Sequence, residues 1–123
     1  MDWCDEALSR FCQLLGVAVP SPQGALIHLE FGDIGTLQLE RHEQNLTVWL
    51  EVQVPVHRAS EAMHRALTLT SSHNAPELPL RCGWVGEASL LLFITLADSR
   101  VTLSILQQAF GTLKAARTEV LSA

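Results

Sequence analysis

Charge is the scarcest ingredient of this chain. Asp, Glu, Lys and Arg make up 17% of its 123 residues, against about 25% in an average domain. Hydrophobic residues reach 48%, so little of the surface is comfortable in water. The economical explanation is an additional apolar interface to a subunit, a ligand protein or both. The eight Lys and Arg are scattered, and the formal net charge is -5. That argues against nucleic acid, because phosphate binding needs a basic patch. No apolar run has membrane-spanning length, and Met1-Asp2 opens an acidic segment unlike a signal peptide, so the expected compartment is the cytosol. Cysteine is sparse too: three, an odd number with no metal-like spacing, which fits reduced thiols packed as small apolar groups. A glycine-rich phosphate loop, a convincing carboxylate pair, an internal repeat and a low-complexity tract are all missing. The length predicts a single domain, 1–123, able to bury roughly two-thirds of its unfolded surface.

What is present is alternation. In Ala25–Phe31 the apolar Ala25, Ile27, Leu29 and Phe31 share one face, opposite His28 and Glu30. In Gly35–Arg41, Leu37 and Leu39 alternate with Thr36, Gln38 and Glu40. In Asn45–Val54, Leu46, Val48, Leu50, Val52 and Val54 alternate with Thr47, Trp49, Glu51 and Gln53. A period of two marks strands with one buried face. Gly32-Asp33 and Glu43-Gln44-Asn45 supply turns, so the three strands predict an antiparallel meander. Leu80–Gly86 and Ala88–Ala97 predict a strand pair, the second apolar on both faces and therefore central or covered on both sides.

Helical spacing appears in three other stretches. Asp2–Gly16 carries Trp3, Cys4, Ala7, Leu8, Phe11, Cys12, Leu14 and Leu15 as a wide stripe, with acidic residues at its N-terminus and Gly16 as a stop. A second helix is predicted over His57–Thr70, with a stripe of mostly small residues, Ala59, Ala62, Met63, Ala66 and Leu67, that permits close approach. A last helix begins at a cap, Thr102 or Ser104, and buries Leu106, Ala109, Phe110, Leu113, Ala116 and Val120. The predicted fold class is α+β, an antiparallel sheet with three helices in the order α-β-β-β-α-β-β-α.

Chemistry is hard to find. His57, Glu61 and His64 share a helical face but lack a fourth ligand. Ser72-His73 has no oxyanion-hole motif beside it. Cys82 has no identifiable activating partner. The expectation is therefore no catalytic residue, no cofactor and no metal. Trp3, Trp49 and Trp84 are more informative, since tryptophan is enriched at interface hot spots. Trp49 lies on the otherwise polar face of its strand and is the leading candidate for a contact outside the core.

The wording along the chain carries a resemblance. FCQLLGV (Phe11–Val17), GTLQLE (Gly35–Glu40), LTVWL (Leu46–Leu50), ALTLT (Ala66–Thr70), LPLRCGWVGE (Leu78–Glu87) and QQAF (Gln107–Phe110), in this order and spacing, resemble the small, acidic class I chaperones of bacterial type III secretion, and within them the SycN-type branch. The resemblance covers nearly the whole chain. It implies a non-enzymatic chaperone that pairs with a similarly folded, YscB-like subunit and holds an N-terminal segment of a YopN-like gatekeeper protein in non-globular form. It also implies the bacterial cytoplasm, with peripheral association at the inner membrane near the secretion apparatus. Dimerisation would use Ala62, Met63, Ala66, Leu67, Leu80, Cys82 and Trp84. Cargo would bind Trp3, Leu8, Phe11, Leu15, Leu29 and Phe31, joined by Trp49. A homodimeric effector chaperone or an unrelated α/β adaptor is the alternative.

Overall fold

The periodicities map onto real elements. A computed structural model describes residues 3–16, 26–31, 34–70, 79–86 and 89–122. Helix α1 spans Trp3–Leu14, followed by strands β1 (Leu26–Phe31), β2 (Gly35–His42) and β3 (Asn45–Gln53). Helix α2 spans Ala59–Leu69, strands β4 and β5 span Leu80–Val85 and Ser89–Ala97, and helix α3 spans Leu103–Leu121. The connector 17–25 and the loop 71–78 fall outside the described residues.

The predicted order of elements is therefore observed. β1, β2 and β3 form the meander, and β5 pairs with β3, so the sheet order is β1-β2-β3-β5-β4 with every pair antiparallel. β5 is central, which explains its apolar composition on both faces. Leu37, Leu39, Val48, Leu50, Val52, Leu90, Leu92 and Ile94 point to one side of the sheet and are buried there. Each such side chain contributes about 1.5–3 kcal/mol relative to exposure.

α3 closes that side. It packs on β3 and β5, and both α1 and α2 pack on it. All six residues of its predicted stripe are buried, and Phe110 meets Phe11 of α1 edge to face, with centroids 5.9 Å apart. Of the two candidate caps, Thr102 takes the role: its Oγ1 accepts a hydrogen bond from the Ile105 N–H at 3.1 Å. α1 stops at Leu14, and Gly16 in the turn that follows has a φ of +75°, which suits a residue without Cβ. Gly35 is constrained differently: a Cβ there would stand 2.6 Å from the Glu51 carbonyl oxygen, so only glycine lets β2 begin beside β3.

The second helix is shorter than predicted. Val56–Arg58 forms a 3-10 turn, and Arg58, with φ -113° and ψ 6°, separates it from α2. Arg58 and Arg65 then reach across to the far end of α3. Arg58 donates to the Leu121 and Ser122 carbonyls at 3.4 and 2.7 Å, and Arg65 also donates to Ser122. Two cations thereby satisfy carbonyls that the helix itself leaves open, at the negative end of its dipole. Arg41 and Asp98 are joined at 2.9 Å, which ties the end of β2 to the turn before α3.

Candidate partner-binding surfaces

Where α2 approaches the edge strand β4, an open hollow of about 460 Å³ is lined by Ala59, Ser60, Met63, His64, Leu67 and Trp84. Its geometry follows from the small-residue stripe. Ala62 and Ala66 are buried in the core, which draws α2 down and leaves larger neighbours at the rim. Met63 and Trp84 are half-buried and pack against the core cluster, while Leu67 is 56% exposed. Val85 at the end of β4 and Val56 before α2 are also largely exposed. Among the described residues β4 has a neighbour on one side only, so apolar side chains and an open strand edge lie side by side, an arrangement that favours a protein partner.

A second apolar surface lies on the opposite side of the sheet. Trp49 and Phe93 face each other directly in the β3–β5 register, with ring centroids 4.6 Å apart and planes tilted by 36°. Leu91 follows Phe93 on the same face, opposite Glu51, and all three apolar side chains are half-buried. Polar pairs frame them: Thr47 with Thr95 at 3.0 Å, Gln53 with Ser89 at 3.0 Å, and Gln38 with His28 at 3.2 Å. The indole N–H of Trp49 is buried without an acceptor among the described residues.

The residues nominated from sequence divide sharply. Leu8, Phe11 and Leu29 are 6%, 1% and 7% exposed. Their side chains belong to the core, because the stripe that faces α3 and the sheet is the same stripe that a partner would read. Leu15 is half-buried, and its unnominated neighbour Leu14 is 59% exposed. The side chains of Trp3 and Phe31 lie outside the described residues. On the other surface Ala62, Ala66 and Leu80 are buried, whereas Met63, Leu67, Cys82 and Trp84 reach the groove or its edge. Phe93 and Leu91 were not singled out by sequence reasoning. A doubly apolar strand gives a central position, not the openness of one of its faces.

The chemical candidates do not assemble. His57 lies in the 3-10 turn, outside α2, and Glu61 is paired with Arg65 at 2.7 Å. Among the described residues no three of His, Cys, Asp and Glu are grouped to hold a metal. The Cys82 sulfur lies 3.8 Å from the Thr70 hydroxyl, which supplies neither a base nor a positive charge. Burial pushes the Cys12 thiol above its ordinary range, away from the reactive thiolate. No helix among the described residues is long and apolar enough to cross a membrane.

Comparison with known proteins extends these observations. The Yersinia pestis type III secretion chaperone SycH, solved with a stable fragment of YscM2, is similar with a TM-score of 0.67 and 16% identity, covering 97% of this chain and 99% of that one. A chain of the heterodimeric ExoU–SpcU complex from the type III secretion system of Pseudomonas aeruginosa gives a TM-score of 0.70 at 17% identity, with 93% and 94% coverage. At such identities the likeness concerns the fold. The sequence relationship goes further: the chaperone protein SycN of Yersinia enterocolitica serotype O:8 / biotype 1B is 47% identical over 122 residues, 99% of each chain. The family profile described as type III secretory system chaperone SycN matches residues 3–121. With the fold, the near-complete profile match and this identity in agreement, the chain belongs to the SycN family of type III secretion chaperones.

Proposed function

We propose that this chain is one subunit of a heterodimeric chaperone that docks a second, YscB-like subunit on the α2–β4 groove and holds the N-terminal segment of a YopN-like gatekeeper protein ready for secretion. The groove carries the reading: Met63, Leu67 and Trp84 form an apolar rim beside an open strand edge, a surface that a similarly folded subunit can cover with its own helix and strand. Ala62, Ala66 and Leu80 beneath it shape the surface, and Cys82 lies at its edge. The solved ExoU–SpcU and SycH–YscM2 complexes support a protein partner for this fold. The chain acts by binding and not by catalysis, in the bacterial cytoplasm, with peripheral association at the inner membrane near the secretion apparatus. Cargo held extended costs about 1–2 kcal/mol per ordered residue for its backbone. The contacts offsetting this are apolar burial, at about 25 cal/mol per Å², and hydrogen bonds at a sheet edge.

Light scattering and native mass spectrometry on the chain, alone and co-expressed with a second chaperone subunit and the cargo segment, test this directly. A complex with one copy of each is expected. Leu67→Asp should weaken the subunit contact about thirtyfold, the scale of an interface hot spot, while leaving thermal unfolding of the isolated chain nearly unchanged. A homodimer that ignores the second subunit would replace the heterodimer with a homodimeric effector chaperone. A monomer under every condition would overturn both.

A further inference from the structure

We infer that Arg58 and Arg65 are positioning residues for the subunit contact: they latch α2 to the last turn of α3 and so fix the shape of the α2–β4 groove. That the groove receives a subunit rests on the function proposed above; the latch itself rests on hydrogen bonds between two helices distant in sequence.

α2 has little else to hold it. Its 11 residues fall below the roughly 12–15 that an isolated helix needs even when rich in alanine, so its place depends on packing. Its buried residues are Ala62 and Ala66, and each alanine has a single methyl to remove from water. α3, by contrast, buries Leu106, Phe110, Leu113 and Val120 besides two alanines. Met63 and Leu69 of α2 pack half-buried against the core. At its N-terminus no side-chain hydrogen bond caps α2. At its C-terminal end the Thr70 hydroxyl stands 3.8 Å from the Cys82 sulfur, a weak contact.

The arginines supply what the alanines do not. Arg58, where the 3-10 turn gives way to α2, donates from Nη1 to the Leu121 carbonyl at 3.4 Å and from Nη2 to the Ser122 carbonyl at 2.7 Å. Arg65 donates from Nη1 to the same Ser122 oxygen, while Glu61 holds its Nη2 at 2.7 Å. These are charged donors at the negative end of a helix dipole, and such bonds are stronger than neutral ones. Arg58 and Arg65 stand two helical turns apart and converge on one carbonyl, so they resist sliding of α2 along its own axis as well as lifting. Met63, His64 and Leu67 line the hollow together with Trp84 of β4. An α2 that slides or lifts on α3 therefore takes Met63 and Leu67 out of line with Trp84.

The test uses the full chain and a second, YscB-like chaperone subunit. Arg58→Met and Arg65→Met combined keep much of the aliphatic length and remove the donors. Amide hydrogen exchange in α2 should accelerate about tenfold while that of β3 and β5 stays nearly unchanged, and the subunit Kd should rise about tenfold. Arg58→Lys and Arg65→Lys retain a charged donor at each position and should recover most of that loss. If the double methionine variant does not fold, Arg58→Gln alone carries the same comparison. Val101→Ala is the control: it truncates a fully buried side chain at the opposite end of α3, and should lower the urea midpoint without moving the subunit Kd. Unchanged exchange in α2, unchanged subunit affinity without the donors, or an equal loss of affinity in Val101→Ala would overturn the inference. If the unaltered chain binds no second subunit, the proposed function fails instead, and α2 exchange still decides whether the latch holds the helix.

Discussion

The α2–β4 groove and the outer face of β3 and β5 are both half-buried apolar surfaces, yet they stand in opposite relations to the core. Met63 and Trp84 in the groove are continuous with the buried cluster, so the groove is an unfinished edge of the core. Trp49, Phe93 and Leu91 are separated from it by the full thickness of the sheet and form an island held in place by register. The lesson concerns what each surface can change independently. In the groove, Met63 and Trp84 serve the core and the proposed subunit contact together. The side chains of the outer face are not shared with the buried cluster, so they can vary in sequence with little effect on the fold.

The largest expected effect removes the distinction. Leu92 is fully buried on the covered side of β5, between Phe93 and Leu91 of the outer face. Leu92→Ala should cost about 2–5 kcal/mol in urea unfolding and weaken both surfaces together. Met63→Ala sharpens the comparison. It should lower stability by about 1 kcal/mol, a fraction of the cost of a fully buried truncation, and should also weaken the subunit contact. If unfolding were unmoved while subunit binding fell, the groove would not be part of the core. Next comes the island: a double-mutant cycle on Trp49→Thr and Phe93→Thr should return a coupling of about 1 kcal/mol. Those substitutions should leave subunit binding intact.

The smallest effect concerns the dryness of the covered side. Cys12 is buried, and desolvation raises its thiol above the ordinary value of 9.0. With a folded pKa above the unfolded one, the folded state holds its proton longer. The contribution to stability is therefore complete below pH 9 and is lost as pH rises through the folded pKa. Urea midpoints should hold up to about pH 9 and fall above it, and Cys12→Ala should flatten part of that fall.

These contrasts also explain what was legible in the sequence. Alternation in β1–β3 and the stripe of α3 were readable because each is a local pattern with one buried side, and Thr102 was readable as one of two caps. The division of α2 was not. Ala62, Ala66 and Leu67 fall in one apolar stripe, but only the packing of α2 on α3 and β4 decides that the alanines go inward while Leu67 remains open. The same ambiguity made Leu8, Phe11 and Leu29 candidates for cargo, since a core stripe and a binding stripe have the same period. The Trp49–Phe93 pair was illegible for a different reason. It depends on the register between strands distant in sequence, which no local pattern encodes.

The insertion of β5 between β3 and β4 also sets the order in which the molecule can be built. The meander closes through local contacts, but the central pair joins residues 36 apart at Gln53–Ser89 and 48 apart at Thr47–Thr95. Such distant pairings carry the loop-closure cost that slows folding. During synthesis, β3 therefore cannot pair with β5 until the ribosome has delivered α2, β4 and β5. A chaperone built this way passes through its own interval of unprotected strand edge before it can protect another protein.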